Sequence, residues 1–158
     1  MKLSTGKQIE IVENKVLKLK NVLSRDLSSQ DSGEIQKVFV MFDSYTKSKN
    51  LTPYGPMIIH SRSHVEHGTL SNKSRLLAQL REIPEKTDPP YAFDELVRIE
   101  NCLLARYRGD PRLIQMAHGK LQVYAFENGI TLKNETYTVF IEQTENELIA
   151  DVFAETVP

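Results

Sequence analysis

Residues that could contact a ligand occur in both halves of this 158-residue chain, and most of them are aromatic. Tyrosine and phenylalanine rings can hold planar or cationic molecules against their faces, although ordinary core packing is the alternative for each ring alone. Alternation along TYTVFIEQ would place the Glu142 carboxylate beside Phe140 on one strand face, unless Glu142 is simply solvated near a turn. The predicted ligand-binding residues are Phe42, Tyr45, Tyr54, Met57, Tyr107, Tyr124, Thr138, Phe140 and Glu142.

The remaining polar residues do not form a catalytic or metal-binding pattern. His60, His64 and His67 cluster in HSRSHVEH, but no helix is predicted there that would place two imidazoles on one face. A polar connection between strands explains the cluster, so we expect no metal and no cofactor. Cys102 lies in an apolar strand, where a small buried side chain is expected rather than a nucleophile. Because the sequence contains no phosphate loop and no nucleophile elbow, binding without catalysis is predicted.

The first half of the chain predicts a strand, a helix and two further strands. The first strand runs from Lys15 to about Leu27, and Asp31 with Glu34 has the spacing of a capping box. The helix should end near KSKN, because TPYGP contains two prolines and a glycine. The strands MIIHSRS and RLLAQLREI follow, joined by the polar connection HVEHGTLSNKS. The apolar face of the helix consists of Ile35, Val38, Phe39, Phe42 and Tyr45.

The second half predicts the same order of elements. ELVRIENCLLARY is a strand, and Asp110 followed by Pro111 is typical of a helix start. Gly119 in mid-helix suggests a close approach to the sheet or to the other helix, and Gly129 suggests a left-handed helix end. TYTVFIEQ and LIADVFAETV are strands on either side of the turn TENE. The helical face consists of Ile114, Ala117, Leu121, Tyr124 and Ala125.

The two halves also resemble each other in sequence. VLKLKNVLSRDL, Val16–Leu27, matches LVRIENCLLARY, Leu96–Tyr107, with Asn21 opposite Asn101. We therefore predict an α+β fold built by tandem duplication of a strand-helix-strand-strand unit, the alternative being a chance likeness. The chain would be a single domain, 1–158, with repeat 1 at about 14–84, a linker at 84–92 and repeat 2 at about 93–158. A groove between the repeats would be the default ligand site.

Several of these stretches together resemble the GyrI-like effector-binding domain family. They are ARYRGDP before the second helix, the NGI helix exit, the hairpin TYTVFIE…ENELIADVFAETV, and YGPMIIHSRS in the first half. The resemblance covers about residues 14–158, and the family includes the drug-sensing part of bacterial multidrug regulators. It implies a barrel-like antiparallel sheet with two main helices and a central groove for hydrophobic, often cationic, small molecules.

The chain departs from two patterns of that family. Many members pair the cation with a buried glutamate in an E-x-Y pattern, which falls here on Thr138 and Phe140, so that Glu142 would be a displaced acid. The pattern T-E-I-Y-V-P of the last strand reads ADVFAE here and keeps an acid as Asp151. Some members hydrolyse small molecules, but only Glu142 and Tyr107 could act in that way here, so a hydrolase is the least favoured function.

Charge and composition restrict the expected partners. The formal net charge is −1, without the basic surplus that phosphate contacts require, so direct nucleic-acid binding is not expected. No apolar run approaches about 18 residues and no signal peptide is apparent, which predicts a cytoplasmic protein that does not enter a membrane. Residues 1–13 leave no room for a helix-turn-helix, so a free-standing form of the domain is expected.

The sequence therefore predicts non-catalytic binding of a hydrophobic small molecule, either cationic or neutral, by a monomer or homodimer. The alternative is a protein-interaction module, an accessory or inhibitory protein whose groove is vestigial. Loss of the family glutamate motivates that alternative, in which the partner is an unidentified protein.

Overall fold

The computed structural model describes residues 9–27 and 32–158, and within them the order strand-helix-strand-strand occurs twice. The first set is β1 (Ile9–Leu27), α1 (Ser32–Ser48), β2 (Pro53–Glu66) and β3 (Thr69–Leu80). The second is β4 (Tyr91–Gly109), α2 (Gln115–Glu127), β5 (Leu132–Gln143) and β6 (Leu148–Thr156), with a short 3-10 helix at Pro111–Leu113. The predicted α+β class, with antiparallel strands and two main helices, is confirmed. The proposed capping box at Asp31 lies outside the described residues.

The hairpin between β2 and β3 was predicted incorrectly. HVEHGTLSNKS is not a polar connection, because β2 continues to Glu66 and β3 begins at Thr69, with His67 and Gly68 alone in the turn. Both turn residues have positive φ, 51° and 78°, as a two-residue turn matching the twist of its strands requires. TPYGP does not separate elements cleanly either, since β2 begins at Pro53 and a register shift there accommodates the irregular backbone.

The chain divides into two compact units whose limits lie inside β1 and β4. Unit A is Lys18–Val97, and unit B is Met1–Leu17 together with Arg98–Pro158. The limits differ from those of the predicted repeats, because the beginning of β1 packs with the second helix and the beginning of β4 packs with the first. The description as a single domain stays a prediction.

In unit A, the strands pair antiparallel in the order β1–β3–β2, and α1 packs on one face of this sheet. Val38 and Phe42 of α1 are buried, and Tyr91 and Phe93 from the beginning of β4 pack against the same core. The other core residues are Leu23, Leu27, Leu51, Leu76, Ala78 and Leu80.

In unit B, the order is β4–β6–β5, and α2 packs on one face with the small buried residues Ala117 and Ala125. Small side chains on both sides allow the helix to approach the sheet closely, and burial of their methyl groups stabilises the contact. The sheet residues of this core include Leu103, Ala105, Tyr107, Ala150, Val152 and Ala154.

The end of α2 agrees with the sequence, whereas its start and its glycine do not. The Asp110 carboxylate accepts a hydrogen bond from the Arg112 amide at 2.9 Å, but this bond caps the short 3-10 helix. The helix α2 begins at Gln115, and its N-cap residue Ile114 makes no side-chain bond. Gly129 has φ +67°, as predicted. Gly119 is exposed, and a Cβ added there would meet nothing within 4 Å. The predicted close approach at Gly119 is therefore wrong. Neither described helix combines the length and apolar character needed to cross a membrane.

Equivalent positions of the two halves share unusual backbone conformations, which fits the hypothesis of duplication. The bond from the Leu51 amide to the Thr46 carbonyl and that from Ile130 to Ala125 both measure 2.8 Å, so the two helices end alike. Positive φ values between 51° and 73° occur at three equivalent pairs: Asn21 and Asn101, Asn50 and Gly129, Gly55 and Asn134. Asparagine and glycine enter this left-handed region at lower cost than other residues.

We expect Asn101→Ala to lower the free energy of unfolding by roughly 1 kcal/mol, because alanine pays the full cost of the left-handed conformation at φ 57°. Asn101→Gly should cost less, since glycine has no Cβ. Urea unfolding of both variants measures the difference. Asn146→Ala, at an exposed asparagine without positive φ, is the control and should change little. Equal losses for alanine and glycine at position 101 would contradict this explanation.

Candidate functional site

The predicted aromatic residues of α1 belong to a packed cluster. The Tyr45 ring stacks on Tyr91 with centroids 3.8 Å apart and planes 7° apart, and Phe42 lies 6.0 Å from Tyr91. The Arg25 guanidinium lies 5.6 Å from the Tyr91 centroid, and the Lys49 ammonium 5.8 Å from that of Tyr45. These faces are already occupied by cations and by each other, so the cluster is best explained as structure. Tyr91 was missed because it directly follows the proline-rich linker.

The other two predicted residues of unit A do not join that cluster in one site. Met57 packs against the same helix-side core, which makes it a structural residue. Tyr54 pairs with Gln79 across the sheet, so it lies on the face away from α1, and the Arg81 guanidinium is 5.3 Å from its ring centroid. The four predicted residues of unit A are thus divided between two faces.

The predicted residues of unit B also have structural partners. Tyr107 is buried, its hydroxyl donates to the Asp110 carbonyl at 2.6 Å, and burial raises its pKa. The Tyr124 hydroxyl donates to the Glu13 carboxylate, and this bond raises the pKa of the phenol. Phe140 packs against the core beneath α2, and Thr138 shares its face. These residues therefore support the helix side of the sheet.

Glu142 does not lie where alternation predicted it. Phe140 pairs with Ala150, but Glu142 pairs with Ile149, so β5 contains one extra residue between them. Paired residues point to the same face, whereas neighbours along a strand point to opposite faces, so the bulge turns Glu142 away from Phe140. Glu142 is also exposed. The prediction that it shares a face with Thr138 and Phe140 is wrong, and the alternative of a solvated glutamate near a turn agrees with its exposure.

A different set of residues meets on the face of the unit B sheet that α2 does not cover. Leu104, Phe153 and Tyr137 lie in one row across the three strands, because Phe153 pairs with both of the others. In the next row Asp151 pairs with Arg106 and Val139. We call this the helix-free face of unit B. Tyr137 is 4% and Asp151 8% exposed, so a buried carboxylate lies one row away from two aromatic side chains.

Arg106 neutralises the Asp151 carboxylate through two hydrogen bonds. Nε of Arg106 lies 2.7 Å from Oδ1 and Nη2 lies 2.7 Å from Oδ2, the bidentate geometry that best suits these groups. These bonds raise the pKa of the guanidinium. The Asp151 side chain is 11% exposed and the Arg106 side chain 56%, so the pair joins a buried anion to a cation that remains in water. Such a cation can leave its partner without being desolvated.

A second carboxylate lies on the same face, one row beyond Phe153. Glu155 pairs with Cys102 across the sheet, and its Oε2 is 3.0 Å from the Lys133 ammonium. Each of these two acids therefore already has a cationic partner. A ligand cation that binds either of them would have to replace an existing ion pair.

The structure does not assemble the residues of a hydrolase or a metal site. Tyr107 pairs with Ala150 and so faces α2, whereas Glu142 pairs with Ile149 on the other face. The only two acid-base candidates from the sequence therefore point away from each other. No three His, Cys, Asp or Glu side chains in the described part of the chain could share a metal ion. The side chain of His64 lies outside that part.

Comparison with known proteins shows the fold. No protein-family profile and no curated protein sequence matches the chain. A chain in the cryo-EM structure of the EcmrR–DNA complex has a TM-score of 0.72 at 14% identity, covering 94% of this chain and 57% of that one. The crystal structure of the EcmrR C-terminal domain has a TM-score of 0.66 at 13% identity, covering 95% and 97%. This chain thus spans little more than half of the chain in the DNA complex.

A third structure, SAV2435 bound to tetraphenylphosphonium, has a TM-score of 0.47 at 8% identity and covers 92% of this chain and 94% of that one. That likeness is too low to support an argument. At identities of 13% and 14% the EcmrR likenesses show a shared fold, and the family resemblance found in the sequence stays a prediction.

We expect Cys102 to be unreactive in the folded protein. Its side chain is 0% exposed, and burial raises the pKa of the thiol to about 11. At pH 8 the thiolate fraction would be about 0.1%, roughly a hundredfold below that of a thiol at 9.0. Iodoacetamide labelling followed by mass spectrometry should show modification in urea and almost none without it. Rapid labelling of the native protein would contradict the assigned burial.

Proposed function

We propose that the chain is a non-catalytic binding domain for a hydrophobic, cationic small molecule, held at the helix-free face of unit B. The observation that carries the proposal is the Asp151 carboxylate, which is buried beside aromatic side chains and neutralised by an exposed arginine. The location differs from the predicted set of residues, because most of those support the helix-side core.

The surface around Asp151 suits an aromatic cation. The partly exposed Phe153 ring provides apolar area and a face that attracts positive charge, and the buried Tyr137 ring lies beside it in the same row. A carboxylate in such surroundings needs a positive partner, because an isolated buried charge is costly. Arg106 would hold that position until a ligand cation replaces it and the guanidinium returns to water. Sequestration of the ligand is then the simplest function, and the shared fold of the EcmrR C-terminal domain is compatible with it.

Asp151→Asn should weaken binding of tetraphenylphosphonium by at least roughly tenfold, because the amide lacks the charge that attracts the cation. Arg106→Gln should strengthen it, because the internal competitor is gone. Isothermal titration calorimetry measures both affinities. Tetraphenylborate, of similar shape but negative charge, should bind wild-type protein far more weakly.

Glu127→Gln is the matched control for this test, since it also removes one carboxylate but at an exposed position of α2, away from this face. It should leave phosphonium affinity unchanged. Unfolding curves without ligand show whether each variant is folded before its affinity is compared. Equal losses for Asp151→Asn and Glu127→Gln, or equal binding of the two ions, would refute Asp151 as the counter-ion.

A second candidate function, protein interaction, is favoured by the outer surface of α2. Met116, Val123 and Phe126 lie within one helical face and are 41%, 55% and 87% exposed. Exposed apolar groups that lie together on one surface are typical of interaction sites. This function does not depend on ligand binding at the helix-free face of unit B.

We expect Val123→Ser/Phe126→Ser to lose a stoichiometric partner, another copy of the chain included, without changing ligand affinity. Light scattering of purified protein detects self-association, and affinity purification from the native cells detects another protein. Val40→Ser/Met41→Ser removes two exposed apolar residues from α1 and is the control. If both double variants behave like wild type, the surface of α2 is not an interaction site.

A further inference from the structure

A cavity beside the end of β1 and the β2–β3 hairpin has an excess of positive charge, and its charged side chains lie on the sheet face that α1 does not cover. The cavity measures about 810 Å³. We propose that it binds the phosphate group of a phosphate monoester. The lining residues that bear on this proposal are Asp26, His60, Arg62, Ser71, Lys73 and Arg75. The proposal does not depend on cation binding in unit B.

Strand alternation brings the cationic residues to one side of the β2–β3 hairpin. His60 pairs with Arg75, and Arg62 pairs with Lys73, so these four side chains share a face. Asp26 of β1 pairs with Arg75 and joins the same face. The positions are fixed by a ladder without register shifts between Ile58 and Glu66.

The cationic groups of the cavity lack carboxylate partners. Nε of Arg75 donates to Nδ1 of His60 at 2.9 Å, so that nitrogen carries no proton and the guanidinium keeps its charge uncompensated. Among the described residues, no carboxylate lies within ion-pair distance of Arg62 or Lys73. Three cations against the single carboxylate of Asp26 leave an excess of two positive charges.

The equivalent positions of unit B show that this excess is not required by the fold. Asp26 corresponds to Arg106 and Arg75 to Asp151, as the matched registers of β1 with β3 and β4 with β6 show, so the charges are exchanged. In unit B the two groups form a bidentate pair. In unit A the arginine bonds to a neutral imidazole nitrogen instead, which leaves its terminal nitrogens available to a ligand.

A phosphate monoester matches the charge and the donors of this cavity. It carries nearly two negative charges at neutral pH, which complements the excess of two positive charges. Arginine offers paired N–H donors to phosphate oxygens, and lysine offers a mobile point charge. The Ser71 hydroxyl, a further hydrogen-bond donor, lies on the same face as Lys73. A volume of about 810 Å³ exceeds the needs of the phosphate alone, so an organic group can enter with it.

The test uses the full chain and phenyl phosphate, with affinity measured by calorimetry at constant ionic strength. Arg62→Gln/Lys73→Gln should weaken binding at least roughly tenfold, because two charge-assisted contacts are lost. Lys18→Gln/Lys20→Gln makes the same change of net charge at exposed positions of β1 and should have little effect. Asp26→Asn should strengthen binding, because it removes the one carboxylate among the described lining residues of the cavity.

Three results would overturn the proposal. They are equal weakening by the two double variants, equal affinity for phenyl phosphate and neutral triphenyl phosphate, and a loss of affinity in Asp26→Asn. Melting curves show first that each variant folds.

Inorganic phosphate is measured in parallel: weaker binding than phenyl phosphate supports a site for the ester, and affinity confined to the inorganic ion refutes it. Tetraphenylphosphonium binding to Arg62→Gln/Lys73→Gln should equal that of wild type, which separates this site from the one in unit B.

Discussion

Each unit depends on the packing of one helix against one face of a three-stranded antiparallel sheet. Leu23, Leu76 and Phe42 make this contact in unit A, and Leu103, Val152 and Leu121 make it in unit B. Because strand side chains alternate, the residues that face the helix leave the other face to a separate set of side chains. Charged groups such as Asp151 and Arg75 can occupy that second face without interrupting the helix-side core. The two faces can therefore change independently in sequence.

Local patterns explain why the helices and most strands could be predicted. The helical spacing around Phe42 and the cap at Asp110 depend on nearby residues, and the structure has both. The β2–β3 hairpin was missed because its strands are polar, and their cross-strand bonds, such as Ser63 to Asn72 at 2.7 Å, have no sequence signature. The bulge before Glu142 was missed because a ladder register is set by a distant strand.

The candidate site was harder to predict than the fold, because residue type does not distinguish core from ligand surface. Tyr107 and Tyr124 fit a groove by composition, yet both hydroxyls are bonded within unit B. The sequence match of the two first strands already places Asp26 opposite Arg106. The correspondence of Arg75 with Asp151, and so the reversed ion pair, needs the strand registers, which only the structure supplies.

The contrast between these equivalent pairs also limits what they can contribute to stability. A bidentate ion pair with one exposed partner gains attraction but loses hydration of the buried carboxylate, so its net stabilisation is small. Arg75 gains still less from a neutral imidazole nitrogen, and its charge stays uncompensated. An apolar pair at either position would serve the sheet at least as well. Stability alone therefore gives no reason for these charges, whereas the binding proposed for each face would use them.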